Sequence, residues 1–137
     1  MGYTHFFEQN KSFTVVEWNE LKRILPLIIK ESGVTICDGH GDPESTPDID
    51  DYEIAFNGCD DYSHETFYIS KALYPEFNFC KTACKPYDIV VCAFLTIINE
   101  IAPNALKISS DGNSEDWSTG VLLASKVMGK NMICPVP

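Results

Sequence analysis

The chain reads as an α+β domain, a mostly antiparallel sheet of about five strands packed with three helices in the order β-α-β-β-β-α-β-α. Three observations predict this. A stretch from Pro86 to Ile101 is apolar on nearly every side and is followed by Pro103, so it reads as a helix buried on several faces. Two further helices carry their own start and stop signals. Short runs rich in aromatic and β-branched residues follow one another instead of alternating with helices. With 137 residues, one domain spanning 1–137 is expected.

Residues 2–9 (GYTHFFEQ) form the first strand, with Tyr3, His5 and Phe7 on one face and Thr4, Phe6 and Glu8 on the other. Thr14 followed by Glu17 is a capping box, and Phe13 packs on Trp18 as a hydrophobic staple. The first helix runs to about Ser32 with Gly33 as its C-terminal cap. Its apolar stripe is Trp18, Leu21, Leu25, Ile28 and Ile29, and Pro26 inside it predicts a kink. Residues 34–37 are a short buried strand. Residues 38–51 are a long acidic loop built on Gly39, Gly41, Pro43 and Pro47. Residues 52–57 and 66–70 are two strands joined by a wide loop. A connector with Pro75 leads to a short strand at 77–80 and then to the central helix. Residues 106–109 are the last strand. Ser114 caps the third helix, which Gly129 ends.

The net charge of −10 argues against general nucleic-acid binding and against anionic membrane surfaces. It leaves room for a basic protein partner. Residues 38–65 hold ten of the twenty acids and no Lys or Arg. The glycine and final glutamate positions of a calcium loop are not met there. No apolar run is long enough to cross a bilayer and no secretion signal opens the chain, so a cytoplasmic protein is expected. The six cysteines are then expected as free thiols, with Cys37 and Cys92 filling the core. No metal and no cofactor are expected.

The segment Cys80-Lys81-Thr82-Ala83-Cys84-Lys85-Pro86-Tyr87-Asp88 carries the clearest chemical signal. A helix start offers unpaired N–H groups and the positive end of the dipole, and two lysines precede it, which is a recipe for holding an anion. Lys81, Lys85 and Thr82 would take a phosphate, and Tyr87 would stack on a base. The plainer alternative is a solvated loop with Asp88 as an ordinary first-turn acid. It is no Walker loop, because the glycines are missing. His5 and Glu65 are candidates for acid–base work, and Asn57 with Glu65 for reading a polar edge. Asp111 and Trp117 lie at a strand-to-helix turn, where ligand groups gather; a turn aspartate and a core indole is the plainer reading. No nucleophile triad is recognisable from sequence motifs.

Several of these pieces together resemble a group of small uncharacterised proteins of phages, prophages and bacteria. They are the opening Gly2-Tyr3-Thr4-His5-Phe6-Phe7, the block Phe79-Cys80-Lys81-Thr82 with Lys85-Pro86-Tyr87-Asp88, Ala55-Phe56-Asn57-Gly58, Glu65 with Phe67, and Ser109-Ser110-Asp111-Gly112 with Trp117. In that group an Arg often stands where this chain has Cys84. The resemblance implies a phage-linked setting in a host cytoplasm, where small acidic proteins often block defences, and no established activity. The leading expectation is therefore a non-catalytic binder of a small phosphorylated, nucleotide-like ligand that sequesters a defence signal. The rivals are a small enzyme on nucleotides or phosphate esters and an acidic inhibitor docking on a basic host protein.

Overall fold

The computed structural model describes residues 3–73 and 78–137. Gly2, Pro75 and Phe77, which figure in the expected first strand, the connector and the short strand at 77–80, lie outside that set. The described residues form an α+β fold whose strands are all antiparallel. They make seven strands in two sheets instead of one sheet of five. The extra pieces are short. One of them, β3 (Asp48–Ile49), lies inside the expected acidic loop and pairs with β4.

In the first sheet, β1 (Thr4–Gln9) is flanked by β6 (Phe79–Lys81) and β7 (Leu106–Ser110). Burial alternates along β1 as expected, with His5, Phe7 and Gln9 inward. In the second sheet, β4 (Glu53–Gly58) is the centre. Ala55 pairs with Asp48 on one edge and with Tyr68 of β5 (Phe67–Ser70) on the other. β2 (Ile36–Cys37) pairs with its far end at Asn57 and Gly58. A single 3₁₀ turn, Asp60–Tyr62, lies in the loop between β4 and β5.

The helix α1 (Val15–Ser32) has the expected capping box at Thr14 and Glu17, and Gly33 closes it in the left-handed conformation. Pro26 sits on its exposed side. Ile24 joins Trp18, Leu21, Leu25 and Ile28 in the buried stripe, while Ile29 is only half-buried. The helix α3 (Ser114–Met128) is capped one residue earlier than expected. Asn113 and Asp116 form the box, because the Asn113 side chain already accepts the Asp116 N–H.

The helix α2 (Asp88–Ile101) is the centre of the core, with every residue from Val90 to Ile98 buried. It starts two residues after Pro86, since a turn closed by the Asp88 N–H on the Lys85 carbonyl precedes it. A ring cluster locks it between the sheets. Phe7 stacks on Phe67 at 5.0 Å, Phe67 on Phe56 at 4.9 Å, and Phe94 of α2 leans on both Phe56 and Phe67. Each such pair adds about 0.5–1.5 kcal/mol beyond its buried area.

On its other side α2 meets α3 at Gly120, where a Cβ would stand 2.5 Å from the Cys92 Cβ. Gly120→Ala should therefore push the two helices apart and cost roughly 1–3 kcal/mol, as overpacked cores do. Urea unfolding measures it, and an unchanged midpoint would deny the close approach.

The expected free thiols need one correction. Cys37 and Cys59 are joined in a disulfide across 22 residues, with their Cα atoms 5.2 Å apart. The β2–β4 pairing carries Cys37 beside Asn57, two residues from Cys59, so the register brings the sulfurs together. Cys80, Cys84, Cys92 and Cys134 are free. Closing a loop of this size contributes about 3 kcal/mol. The pair Cys37→Ser and Cys59→Ser should lower unfolding stability by that order in a urea titration.

Candidate functional site

The register of the first sheet sets three polar side chains in one inward row. His5 on β1 lies directly opposite Cys80 on β6 and Ser110 on β7. The first residue of α2, Asp88, meets the same ring from below. Cys92, one helical turn later, faces it too. The indole of Trp117, in the first turn of α3, stands edge-on to the imidazole at 4.9 Å, and Tyr3 stands edge-on at 5.0 Å. His5 is fully buried, while Asp88 is 20% exposed and Ser110 is partly exposed.

Both ring nitrogens of His5 are engaged: Nδ1 lies 2.7 Å from Ser110 Oγ and Nε2 lies 2.6 Å from Asp88 Oδ1. Counting protons decides which atom donates. Ser110 Oγ already accepts the Gly112 N–H at 2.9 Å and the Trp117 Nε1–H at 3.1 Å. Those bonds occupy both lone pairs of a hydroxyl. Its own proton is then left for His5, so Ser110 donates to Nδ1, and the ring proton sits on Nε2 and points at Asp88. Asp88 Oδ1 also accepts the Thr82 hydroxyl at 2.5 Å, and Oδ2 takes the Cys92 thiol at 3.6 Å. A Ser110–His5–Asp88 chain thus exists, with its members separated by 105 and 83 positions in sequence. No motif search over neighbouring residues can find such a chain, which is why none was recognisable in the sequence.

His5, Asp88 and Cys92 also bring their ligating atoms within 4.8 Å of one another, a donor set that suits a divalent metal. The proton count opposes that use. A metal would need the Nε2 lone pair, which moves the ring proton to Nδ1 and makes it a third donor on Ser110 Oγ. Burial, and then the Asp88 carboxylate, push the Cys92 thiol well above its usual range. It acts as a hydrogen-bond donor here.

The helix tip that was expected to hold an external anion is filled by the chain itself. Asp88 places its carboxylate in the first turn of α2, where the dipole favours negative charge. Thr82 is fully buried and its hydroxyl is spent on Asp88, so it offers nothing to a phosphate. Tyr87 is fully buried as well, and its hydroxyl donates to the Glu65 carbonyl at 2.6 Å, so no ring face is open for stacking. Burial, and then Cys80, push that phenol above its usual range. Cys80 is itself pushed up to about 12 by burial.

Asn57 and Glu65 serve the loop between β4 and β5. The Asn57 amide accepts from the Gly58 and His64 N–H groups and donates to the His64 and Gly39 carbonyls, so it is saturated. Glu65 Oε1 accepts the Lys81 N–H at 2.7 Å. Lys85 Nζ donates to the Asp61 carbonyl at 3.1 Å. Asp111 accepts the Thr4 N–H and ties β1 to the turn after β7. Trp117 is a fully buried indole, as the plainer reading had it, with the added role of donor to Ser110.

Asp88 and Asp116 act on the Tyr3 phenol and the Cys84 thiol, adding to burial in raising both. The Tyr3 hydroxyl lies over Gly112, in the space a Cβ there would fill. The larger described cavities lie elsewhere: about 750 Å³ over Phe13, Trp18 and Tyr52, and about 550 Å³ along α3 at Leu122 and Lys126. Neither reaches the His5 row. Among the described residues, no helix is long and apolar enough to cross a membrane.

The fold and site define an α+β chain with a serine, a histidine and an aspartate joined through one imidazole. Comparison with protein-family models, with curated proteins and with solved structures gives no match.

Proposed function

We propose that the chain is a small hydrolytic or acyl-transfer enzyme in which Ser110 attacks, His5 accepts its proton and Asp88 orients His5. One observation carries this reading: both nitrogens of a buried imidazole are bonded, to the hydroxyl of the partly exposed Ser110 at 2.7 Å and to a carboxylate at 2.6 Å, with the protons placed for transfer. Ser110 Oγ releases the Gly112 N–H and bonds to the substrate carbonyl carbon through the lone pair so freed, as its proton passes to Nδ1. His5 returns that proton to the leaving oxygen as the ester bond breaks. Water then cleaves the seryl ester and restores the hydroxyl. The Trp117 N–H, which stays on Oγ, stabilises the charge that grows there as the proton leaves. The Asp88 and Asp116 carboxylates favour a substrate without negative charge over nucleotides and phosphate esters.

The test is to incubate the full chain with a neutral fluorophosphonate ester and a panel of uncharged acyl esters, then find the modified residue by mass spectrometry. A phosphonyl adduct on Ser110 is expected. Its absence under conditions that saturate other activated serines sinks the proposal. Nucleotide binding that falls in Lys81→Ala and Lys85→Ala, without Ser110 labelling, would put a phosphorylated-ligand binder in its place. Capture of a basic protein that is lost on charge reversal within residues 38–65 would favour the acidic inhibitor.

A further inference from the structure

Resting on the reading of Ser110, His5 and Asp88 as a working site, we propose that the Cys37–Cys59 disulfide controls it: closed, it holds the 59–65 loop against the 81–88 turn, and opened, it lets that turn relax and draw Asp88 away from His5. The element with two states is the turn itself. Ala83 and Cys84 are consecutive residues in the left-handed region, with φ of 52° and 59°. Such a conformation is costly for residues with a Cβ and persists only where the surroundings hold it.

The clamps can be named. The Thr82 and Ala83 N–H groups both point at the Tyr3 carbonyl, the Lys85 N–H closes on the Thr82 carbonyl, and the Asp88 N–H closes on the Lys85 carbonyl. The remaining clamps come from the loop that the disulfide ties. Lys85 Nζ reaches the Asp61 carbonyl, two residues after Cys59. The Glu65 carbonyl takes the Tyr87 hydroxyl, and the Glu65 carboxylate takes the Lys81 N–H. The turn ends at Asp88, whose Oδ1 is the acceptor for His5. Asn57 clasps the neck of the loop independently of the sulfurs, so opening the disulfide loosens the 59–63 part first.

The chemistry is thiol–disulfide exchange with a small dithiol as reductant. Its thiolate attacks the half-buried Cys59 sulfur, the S–S bond breaks, and the buried Cys37 leaves as a thiolate that takes up a proton. The second thiol of the reductant then displaces Cys59 and becomes oxidised to a cyclic disulfide, so two electrons pass to the protein.

Amide hydrogen exchange on the full chain tests this, comparing the oxidised protein, the dithiol-reduced protein and the double variant Cys37→Ser, Cys59→Ser. Reduction should speed exchange at residues 59–63 and 81–88 about tenfold or more beyond what the drop in global stability accounts for, a drop that the core amides 90–98 report, and Ser110 labelling should fall in parallel. Faster exchange confined to residues 37–65 overturns the proposal. So does a rise at 81–88 no larger than the global loss read from 90–98, since the disulfide would then act only on the stability of the whole fold. Equal Ser110 labelling in both redox states overturns it as well. Ser110 left unlabelled in both states sinks the enzyme reading instead, and the exchange at 81–88 then still decides whether reduction reaches Asp88.

Discussion

Ser110→Ala is expected to abolish fluorophosphonate labelling and to lower ester turnover about a thousandfold or more, the scale on which removal of an attacking hydroxyl acts. The same change leaves the Gly112 and Trp117 N–H groups without their acceptor and His5 Nδ1 without its donor. Stability should therefore fall too, by roughly 2–4 kcal/mol if each stranded group costs what buried polar groups usually do. Trp117→Phe separates the two effects. It removes one N–H donor and keeps the hydroxyl, so labelling should persist at a reduced rate. If Ser110 serves only to tie β7 to α3, both variants lose stability and the unaltered protein is never labelled.

Asp88→Ala should give the second large effect, on stability. Asp88 Oδ1 is the shared acceptor of the His5 Nε2–H and the Thr82 hydroxyl, and both donors belong to fully buried residues. Removing the carboxylate strands these two donors and the weaker Cys92 thiol, and leaves the first turn of α2 without its negative charge. Because Asp88 is 20% exposed, water can reach part of the gap, and a loss of about 2–4 kcal/mol is expected. Asp88→Asn keeps an oxygen in the same place. It should recover most of that stability in urea unfolding, yet slow Ser110 labelling at least about a hundredfold, because an amide does not stabilise a charged imidazole. Equal labelling rates for Asp88→Asn and the unaltered protein would remove Asp88 from the proposed mechanism.

The elements most legible in the sequence were those whose signals are local. The Thr14–Glu17 box and Gly33 bracket α1, Gly129 ends α3, and the apolar run after Pro86 is the central helix. The inward face of β1, with His5 and Phe7, follows from a period of two. β3 was not legible, because two residues among turn formers carry no period, and only the presence of β4 alongside makes them a strand. The Asn113 cap was displaced by one position, since Asn113 and Ser114 are both good caps and only the final geometry chooses.

The site divides along the same line. His5, Thr82, Glu65 and Trp117 were singled out from sequence, and all take part in the network around Asp88 or in its support. Their partners were not. Asp88 stood as an ordinary first-turn acid and Ser110 as a turn residue. The partners were out of reach for a reason of distance. The hydroxyl and the carboxylate that meet His5 come from a different strand and a helix, and a one-residue change of register in β1–β7 would turn Ser110 to the other face.

By composition and local pattern alone, this chain was bound to make three helices and antiparallel strands, to bury 90–98 and to turn His5 inward, because capping, periodicity and hydrophobic runs act between residues a few positions apart. Which groups share protons with that histidine, that its own carboxylate fills the helix tip, and that Cys37 meets Cys59, were decided only when strands paired and α2 packed beneath them. Those outcomes depend on register and on distances between segments far apart in sequence, and no local free-energy preference encodes them.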